Sequence, residues 1–519
     1  MQCPSVAEAL DAARMLGRPD GESAAHANAV LQRLVASPGG WPVAASLAGC
    51  AEEHVAFVGL NCALQMVRRD PDGLRADELY DTLWARLRAS RESPLVRHRC
   101  CLLLAALAAD CGGEAVGELV EDALQEEPPL AVPVLTAVAE EVLGSRRAGT
   151  HSCDVTLALQ DACDPVCAHL TRWGATPGVF ACLQRWVSAG VTLSQCAEGP
   201  QPSLLKALLA PLTEENAAEA DVCAAGEALS ELLTAVDPLP GRDDAVSETA
   251  HSLAGAWVSL TAAGGVAWGA PRARALLSVA AAFVGAEAVF TLRSLASPGA
   301  PGPSAALRLL LHASASAPPH LAAVALRPAW SQLAVAWLSG HGGGLRPDVF
   351  NALMAALLSR AALALGDGGG NDEEETELMA AEAADAACAS ARVLGAPLAA
   401  SLCAELAQAP QAPQRVHGAL WAAWACASSF SCEDASLARA VLHACVHASS
   451  PRAASTAADA LAALALTLAH CSDAELSCRA VQAALSLFTH AGEKAAAALE
   501  ALCREVRLQS HVLRTTISD

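Results

Sequence analysis

The chain has 519 residues and a formal charge of −22, from 33 Lys and Arg against 55 Asp and Glu. Phosphate backbones are held by clustered Lys and Arg, and no basic run is longer than Arg68-Arg69 or Arg146-Arg147, which argues against nucleic acid as a direct partner. With 53% hydrophobic and 17% charged residues, the composition is that of a chain burying a large core, far from that of a disordered one.

The first residues carry Glu8, Asp11 and Arg14, so the long apolar segment of a secretory signal is missing and an intracellular protein is expected. In a reducing compartment the 20 Cys read as small buried hydrophobes rather than as a disulfide framework. From there on, apolar residues recur at helical spacing: Leu83 and Leu87, Leu103 and Leu107, Leu229, Leu232 and Leu233, then Leu461, Leu464 and Leu468. No stretch alternates with period two. Glycine and proline breakers interrupt the pattern at Ser37 to Gly40, Pro71 to Gly73, Cys111 to Gly113, Thr176 to Gly178, Pro238 to Gly241, Ser297 to Pro303, Gly340 to Gly344, Gly366 to Gly370 and Ser450-Pro451.

The spacing of these breakers predicts about 24 helical segments, hence about 43 residues per helix pair, in the range of HEAT and armadillo repeats. A pair of that size cannot bury its own apolar face, so neighbouring pairs must stack. The expected fold is all-α, an α-solenoid of HEAT-like helix pairs. Only Asp237 to Asp244 and Gly366 to Glu377 have the hydrophilic character of linkers. The nearest approach to a membrane span, Leu253 to Pro271, has no charge but is broken by Ser259, Thr261 and Gly264-Gly265.

The segment from Asp367 to Glu377 is a glycine stretch followed by a dense acidic run that includes Asp372, Glu373, Glu374 and Glu375. Two readings stand. The carboxylates suit the first turn of a helix beginning near Asp372, where the macrodipole favours negative charge, or they form a loop that binds a partner.

Cys and His cluster at His151, Cys153, Cys163, Cys167 and His169, and again at His443, Cys445 and His447, but neither group has the paired Cys-x-x-Cys spacing of a structural zinc site. Cys163 and Cys167 share one helix face, where core packing is the ordinary explanation, and His443 and His447 lack the Glu of a zinc protease motif. No phosphate-binding glycine loop and no Gly-x-Ser-x-Gly elbow occurs, so neither an enzyme nor a cofactor is expected.

A collinear set of local patterns adds to this. Ala27 to Leu34 forms an amphipathic helix, Trp41 follows Ser37 after a short break, and the next helix holds Phe57, Asn61 and Val67. Pro94 to Ala109 follows, then Val134 to Val142 with its Glu140-Glu141 pair, then Phe180, Cys182, Leu183 and Trp186 before Gly190-Val191, and Arg415 to Ala427. In this order the chain resembles importin-β-type nuclear transport receptors, and the Phe-x-Cys-Leu-x-x-Trp pattern resembles their transportin-3 and importin-13 branch. Departures from the family pattern are Asn61 in place of a Gln, Met66 in place of a Lys, Ala139 in place of a Pro and Gln414 in place of a Trp.

The resemblance implies a karyopherin carrying protein cargo through the nuclear pore, import rather than export, with release controlled by Ran-GTP. The implied partners are the GTP form of the Ran GTPase, nuclear pore proteins and, given the charge of −22, basic or Arg-rich cargo. Localisation in nucleus and cytoplasm follows. The implied organisation is 1–150 for N-terminal repeats that hold Ran, 151–365 for exportin-like repeats, 366–377 for the acidic loop and 378–519 for further repeats that end abruptly. Glu140, Glu141, Asp372, Glu373, Glu374 and Glu375 are the candidate partner contacts, and Trp41, Phe57 and Trp186 are expected in the core. A chain of this length covers about half of such a receptor on the repeat arithmetic, which would leave Leu502, Val506, Val512 and Leu513 in an uncovered apolar stripe. The alternative is a HEAT-repeat scaffold of a protein complex with no Ran or transport role.

Overall fold

The computed structural model describes residues 3–16, 21–69, 76–89, 93–144, 150–198, 202–237, 239, 241–262, 267–296, 301–342, 347–363, 373–408, 412–430, 435–448, 450–470 and 474–505. Among these residues the chain is all-α, with no strand. It divides into two compact units between Ala245 and Val246.

The first unit contains α1 (Val6–Leu16), α2 (Gly21–Ala36), α3 (Trp41–Ala48), α4 (Glu53–Arg69), α5 (Ala76–Arg88), α6 (Pro94–Cys111) and α7 (Gly113–Gln125). It continues through α8 (Pro128–Gly144), α9 (Thr150–Asp161), α10 (Cys163–Trp173), α11 (Pro177–Val187), α12 (Leu193–Ala197), α13 (Leu204–Thr213) and α14 (Glu219–Thr234). The first residues of α15 (Arg242–Ala262) complete it. Helices α4, α6, α8, α11 and α14 pack one against the next in a row. Each has a partner beside it: α3, α5, α7, α10 and α13 respectively. This is the repeating pair of a HEAT-type solenoid, and the row buries the apolar face that no single pair could cover.

Hydroxyl caps and glycines shape these joints. Ser93, Thr176 and Ser203 each take a main-chain N–H of the first turn with their hydroxyl, from Val96, Val179 and Lys206. Thr192 and Gln195 form a reciprocal capping box at α12. Gly112 turns α6 into α7 at φ 114, a conformation that L side chains rarely adopt. Gly59 serves packing instead: a Cβ there would sit 2.3 Å from the main-chain N of Ala48, so α3 and α4 meet backbone to backbone. Polar bonds between adjacent repeats carry the period directly. Arg88 on α5 pairs with Glu126 at 2.6 Å, 38 residues on, and Ser194 donates to Asp237 at 2.7 Å, 43 residues on.

The second unit holds most of α15 and α16 (Pro271–Ala286), α17 (Ala288–Ala296), α18 (Pro301–Ser316), α19 (Pro319–Leu326), α20 (Ala329–Ala336) and α21 (Asp348–Leu363). It continues with α22 (Glu373–Leu394), α23 (Ala396–Leu406), α24 (Pro413–Cys426), α25 (Ser436–Cys445), α26 (Pro451–Ala463), α27 (Ala465–His470) and α28 (Ala474–Glu505). Here α18, α21, α24, α26 and α28 form the consecutive row. Several helices are broken where a single one was expected, as at Glu287 between α16 and α17, so the chain has more segments than the breakers predicted. Trp257, Phe283, Trp330 and Phe350 are fully buried, and the Trp257 indole N–H donates to the Leu276 carbonyl at 3.1 Å.

Among the described residues one helical stretch, Pro319–His341, is long and apolar enough to cross a membrane, and 56% of its most apolar window is buried; the stretch from Leu253 to Pro271 lies partly outside the described residues. Leu502 is fully buried, because α26 and α27 pack along α28; Val506, Val512 and Leu513 lie outside the described residues. The segment from Asp237 is not a loose linker at its start. The Asp237 carboxylate accepts from the Ser194 N–H and hydroxyl and from the Leu239 N–H, and Arg242 lies 3.9 Å away.

Candidate partner-binding surface

The Glu140-Glu141 pair falls in the last two turns of α8, and the two side chains leave the helix in different directions because consecutive residues are about 100° apart around a helix axis. Glu141 is 6% exposed and is held by Arg68 through two bonds, Nε to Oε1 at 3.1 Å and Nη2 to Oε2 at 2.5 Å. This paired geometry joins α4 to α8, the helices on either side of α6. The hydrogen bond to Glu141 raises the Arg68 pKa above its ordinary value. Glu140 is 31% exposed and pairs with Arg185 of α11 at 2.8 Å. Glu141 is therefore not an exposed helix end: the two carboxylates fasten α8 to the row on both sides, while half of each guanidinium remains in solvent.

The Phe-x-Cys-Leu-x-x-Trp pattern has a physical origin in the same place. Phe180, Cys182, Leu183 and Trp186 are all fully buried on the α11 face that meets α8 and α14. The Trp186 indole N–H donates to the Leu135 carbonyl of α8 at 3.0 Å, which satisfies a polar group that burial would otherwise leave unpaired. Burial pushes the Cys182 thiol up to about 12, so this cysteine is a packing residue rather than a nucleophile. Trp41 is buried as expected, but Phe57 is only half-buried, with the Arg99 guanidinium over its ring at 5.6 Å. A helical period alone cannot distinguish a core aromatic from one at the edge of a groove.

Of the second acidic candidate, Asp372 lies outside the described residues, and α22 begins at Glu373, so Glu373, Glu374 and Glu375 occupy the first turn of a helix. The Cys and His groups stay apart. Cys163 and Cys167 are buried in α10, while His169 faces outward, with its ring against Trp173 and its Nδ1 2.9 Å from the Pro165 carbonyl. The His443 and His447 rings lie 5.2 Å apart at the end of α25, and Cys445 between them in sequence is buried in the core. Among the described residues no three His, Cys, Asp or Glu side chains are placed to hold a metal. Sequence reading did not find Arg68 and Arg185, because their partners lie 73 and 45 positions away and only the stacking of repeats brings them together.

No protein-family model matches the chain, and no curated protein matches it. Solved structures do. Importin-13 in its cytosolic state is 13% identical with a TM-score of 0.56, over 86% of this chain and 58% of that one. The karyopherin Kap121p, bound to the extreme C-terminus of the protein phosphatase Cdc14p, is 14% identical with a TM-score of 0.47, over 99% and 54%. Yeast importin-β, Kap95p, is 12% identical with a TM-score of 0.39, over 96% and 74%. The chain thus spans 58% of the length of importin-13, and at this identity the likeness is one of fold. The chain shares the HEAT-type solenoid fold of importin-13, a karyopherin of the importin-β family.

Proposed function

We propose that the chain acts as a nuclear transport receptor that carries protein cargo through the nuclear pore, in the import direction, and releases it on binding Ran-GTP. The observation that carries this reading is the fold likeness to importin-13 over 86% of the chain, joined to the collinear motifs along α2 to α11 and α24. In this reading the first repeats take Ran-GTP, the transportin-3 and importin-13 branch is the parent group, and the chain moves between nucleus and cytoplasm. Its further partners are nuclear pore proteins.

The physical basis is a shared elastic core. Cargo and Ran-GTP each favour one arrangement of the same stacked helices, and a coupling of about 1–3 kcal/mol changes affinity by roughly 5- to 150-fold. A net charge of −22 steers basic or Arg-rich cargo, with an attraction that salt weakens. Glu140, together with the acidic run Asp372, Glu373, Glu374 and Glu375, supplies contacts to basic partners. Glu141 contributes indirectly, by holding Arg68 beside the Glu140 end of α8. No enzymatic step is part of this role.

The test is a pull-down of the full chain with Ran loaded with a non-hydrolysable GTP analogue, beside Ran-GDP, at low and physiological salt. Selective retention of the GTP form is the expected result. Equal or absent retention of both forms would replace this reading with a nucleotide-indifferent HEAT scaffold.

A further inference from the structure

Helices α2 and α4 border a cavity of about 430 Å³, and next to it lies a second of about 730 Å³; Gln32, Val35 and Gln65 line both, so the two form one groove. Four side-chain amides stand along it, Asn28 and Gln32 on α2 and Asn61 and Gln65 on α4, each pair four residues apart and thus on one helix face. None of the four is tied by a side-chain hydrogen bond to another described residue. Between them the floor is apolar, from Leu31, Val35 and Phe57. Phe57, Asn61, Gln65 and Arg69 follow at successive four-residue steps of α4, which makes a row about 18 Å long.

We infer that this groove binds an extended peptide segment of a partner protein, with main-chain hydrogen bonds to the four amides, an apolar side chain in the cavity against Phe57, and an acidic residue at the Arg69 end. An Asn or Gln amide offers both a donor and an acceptor, the complement of a peptide unit, and two facing pairs can bracket one strand of chain. About five or six extended residues span the row. Arg69 lines the second cavity and makes no ion pair with a described residue, whereas Arg33 beside it is neutralised by Glu8 at 2.6 Å. Among the described residues that line the groove, Arg69 is then the positive charge without an ion-pair partner, and it selects a carboxylate. A nucleic acid strand would need cations along the whole row, and the row holds amides there instead. The assignment rests on this geometry and is independent of the transport reading.

The experiment uses the full chain and fluorescence anisotropy of a labelled octapeptide that alternates serine and leucine and ends in two aspartates. Its companions are the same peptide N-methylated at alternate main-chain nitrogens, the same peptide ending in two lysines, and a labelled octameric oligo-uridine. Saturable binding of the first, with at least about a tenfold loss on N-methylation, is expected. Asn61→Leu with Gln65→Leu should lose about tenfold or more at unchanged helical circular dichroism, while the exchange Asn61→Gln with Gln65→Asn retains binding. Arg69→Glu should invert the preference between the aspartate and lysine ends. Equal binding of the N-methylated peptide, unchanged binding by the double leucine variant, tighter binding of the oligo-uridine, or no binding of any peptide at about 1 mM would each overturn the assignment.

Discussion

The first unit treats its polar side chains in two opposite ways. Around α8 the carboxylates are answered from within, Glu141 by Arg68 and Glu140 by Arg185, and Trp186 beneath them is answered by a main-chain carbonyl. Along α2 and α4 the amides and Arg69 have no side-chain partner among the described residues. A polar group that the chain satisfies and buries, as Glu141, stabilises the fold, whereas one left to solvent, in part as Glu140 or exposed as Arg69, is available to a partner at little cost in stability. The two regions share one helix: α4 gives Arg68 to the closed side and Arg69, one position on, to the open side.

This contrast predicts a graded series in urea unfolding of the full chain. Trp186→Ala should give the largest loss, about 3–5 kcal/mol, because it removes a fully buried aromatic at the α8 to α11 contact. Gly59→Ala should cost about 1–3 kcal/mol or more, since the added methyl meets the α3 backbone at 2.3 Å and neither helix can yield alone. Arg68→Ala should cost about 1–3 kcal/mol, below the roughly 3–5 kcal/mol for breaking a fully buried pair, because the guanidinium is 51% exposed. The double variant Arg68→Met with Glu141→Met should recover most of that loss; if it is no more stable than Arg68→Ala, the penalty does not come from the stranded carboxylate.

Arg185→Ala should cost only about 0.2–1 kcal/mol, since Glu140 retains access to water. At the open end, Asn61→Leu with Gln65→Leu should leave the urea midpoint within about 0.5 kcal/mol of the parent. A large loss there would mean that the amides support the fold, and the contrast between the two regions would dissolve.

Much of the architecture was readable because helix periodicity and breakers are local properties. Thr176 caps α11 at the Thr176 to Gly178 breaker, and Gly112 ends α6 within the Cys111 to Gly113 breaker. The start of α22 at Glu373 falls beside the acidic run for the same local reason. The candidate surface was less readable. Glu140 and Glu141 are adjacent and chemically identical in sequence, yet one is buried and the other is a third exposed, a difference set by which neighbouring helix each one faces. Phe57 and Trp41 both look like core aromatics, and only the packing of α2, α4 and α6 leaves Phe57 at the groove edge. The i, i+4 row of Phe57, Asn61, Gln65 and Arg69 was present in the sequence as a signal, but its meaning depends on the matching amides of α2.

By itself the sequence determined that the chain is helical and that its helices must stack on one another, because apolar spacing and breakers act within a turn or two of the residues that carry them. Tertiary structure alone decided which charges are spent inside the row and which face outward. Those pairings join residues about one to two repeats apart, and a side chain's partner there depends on how neighbouring helices are rotated against each other, which no local pattern specifies.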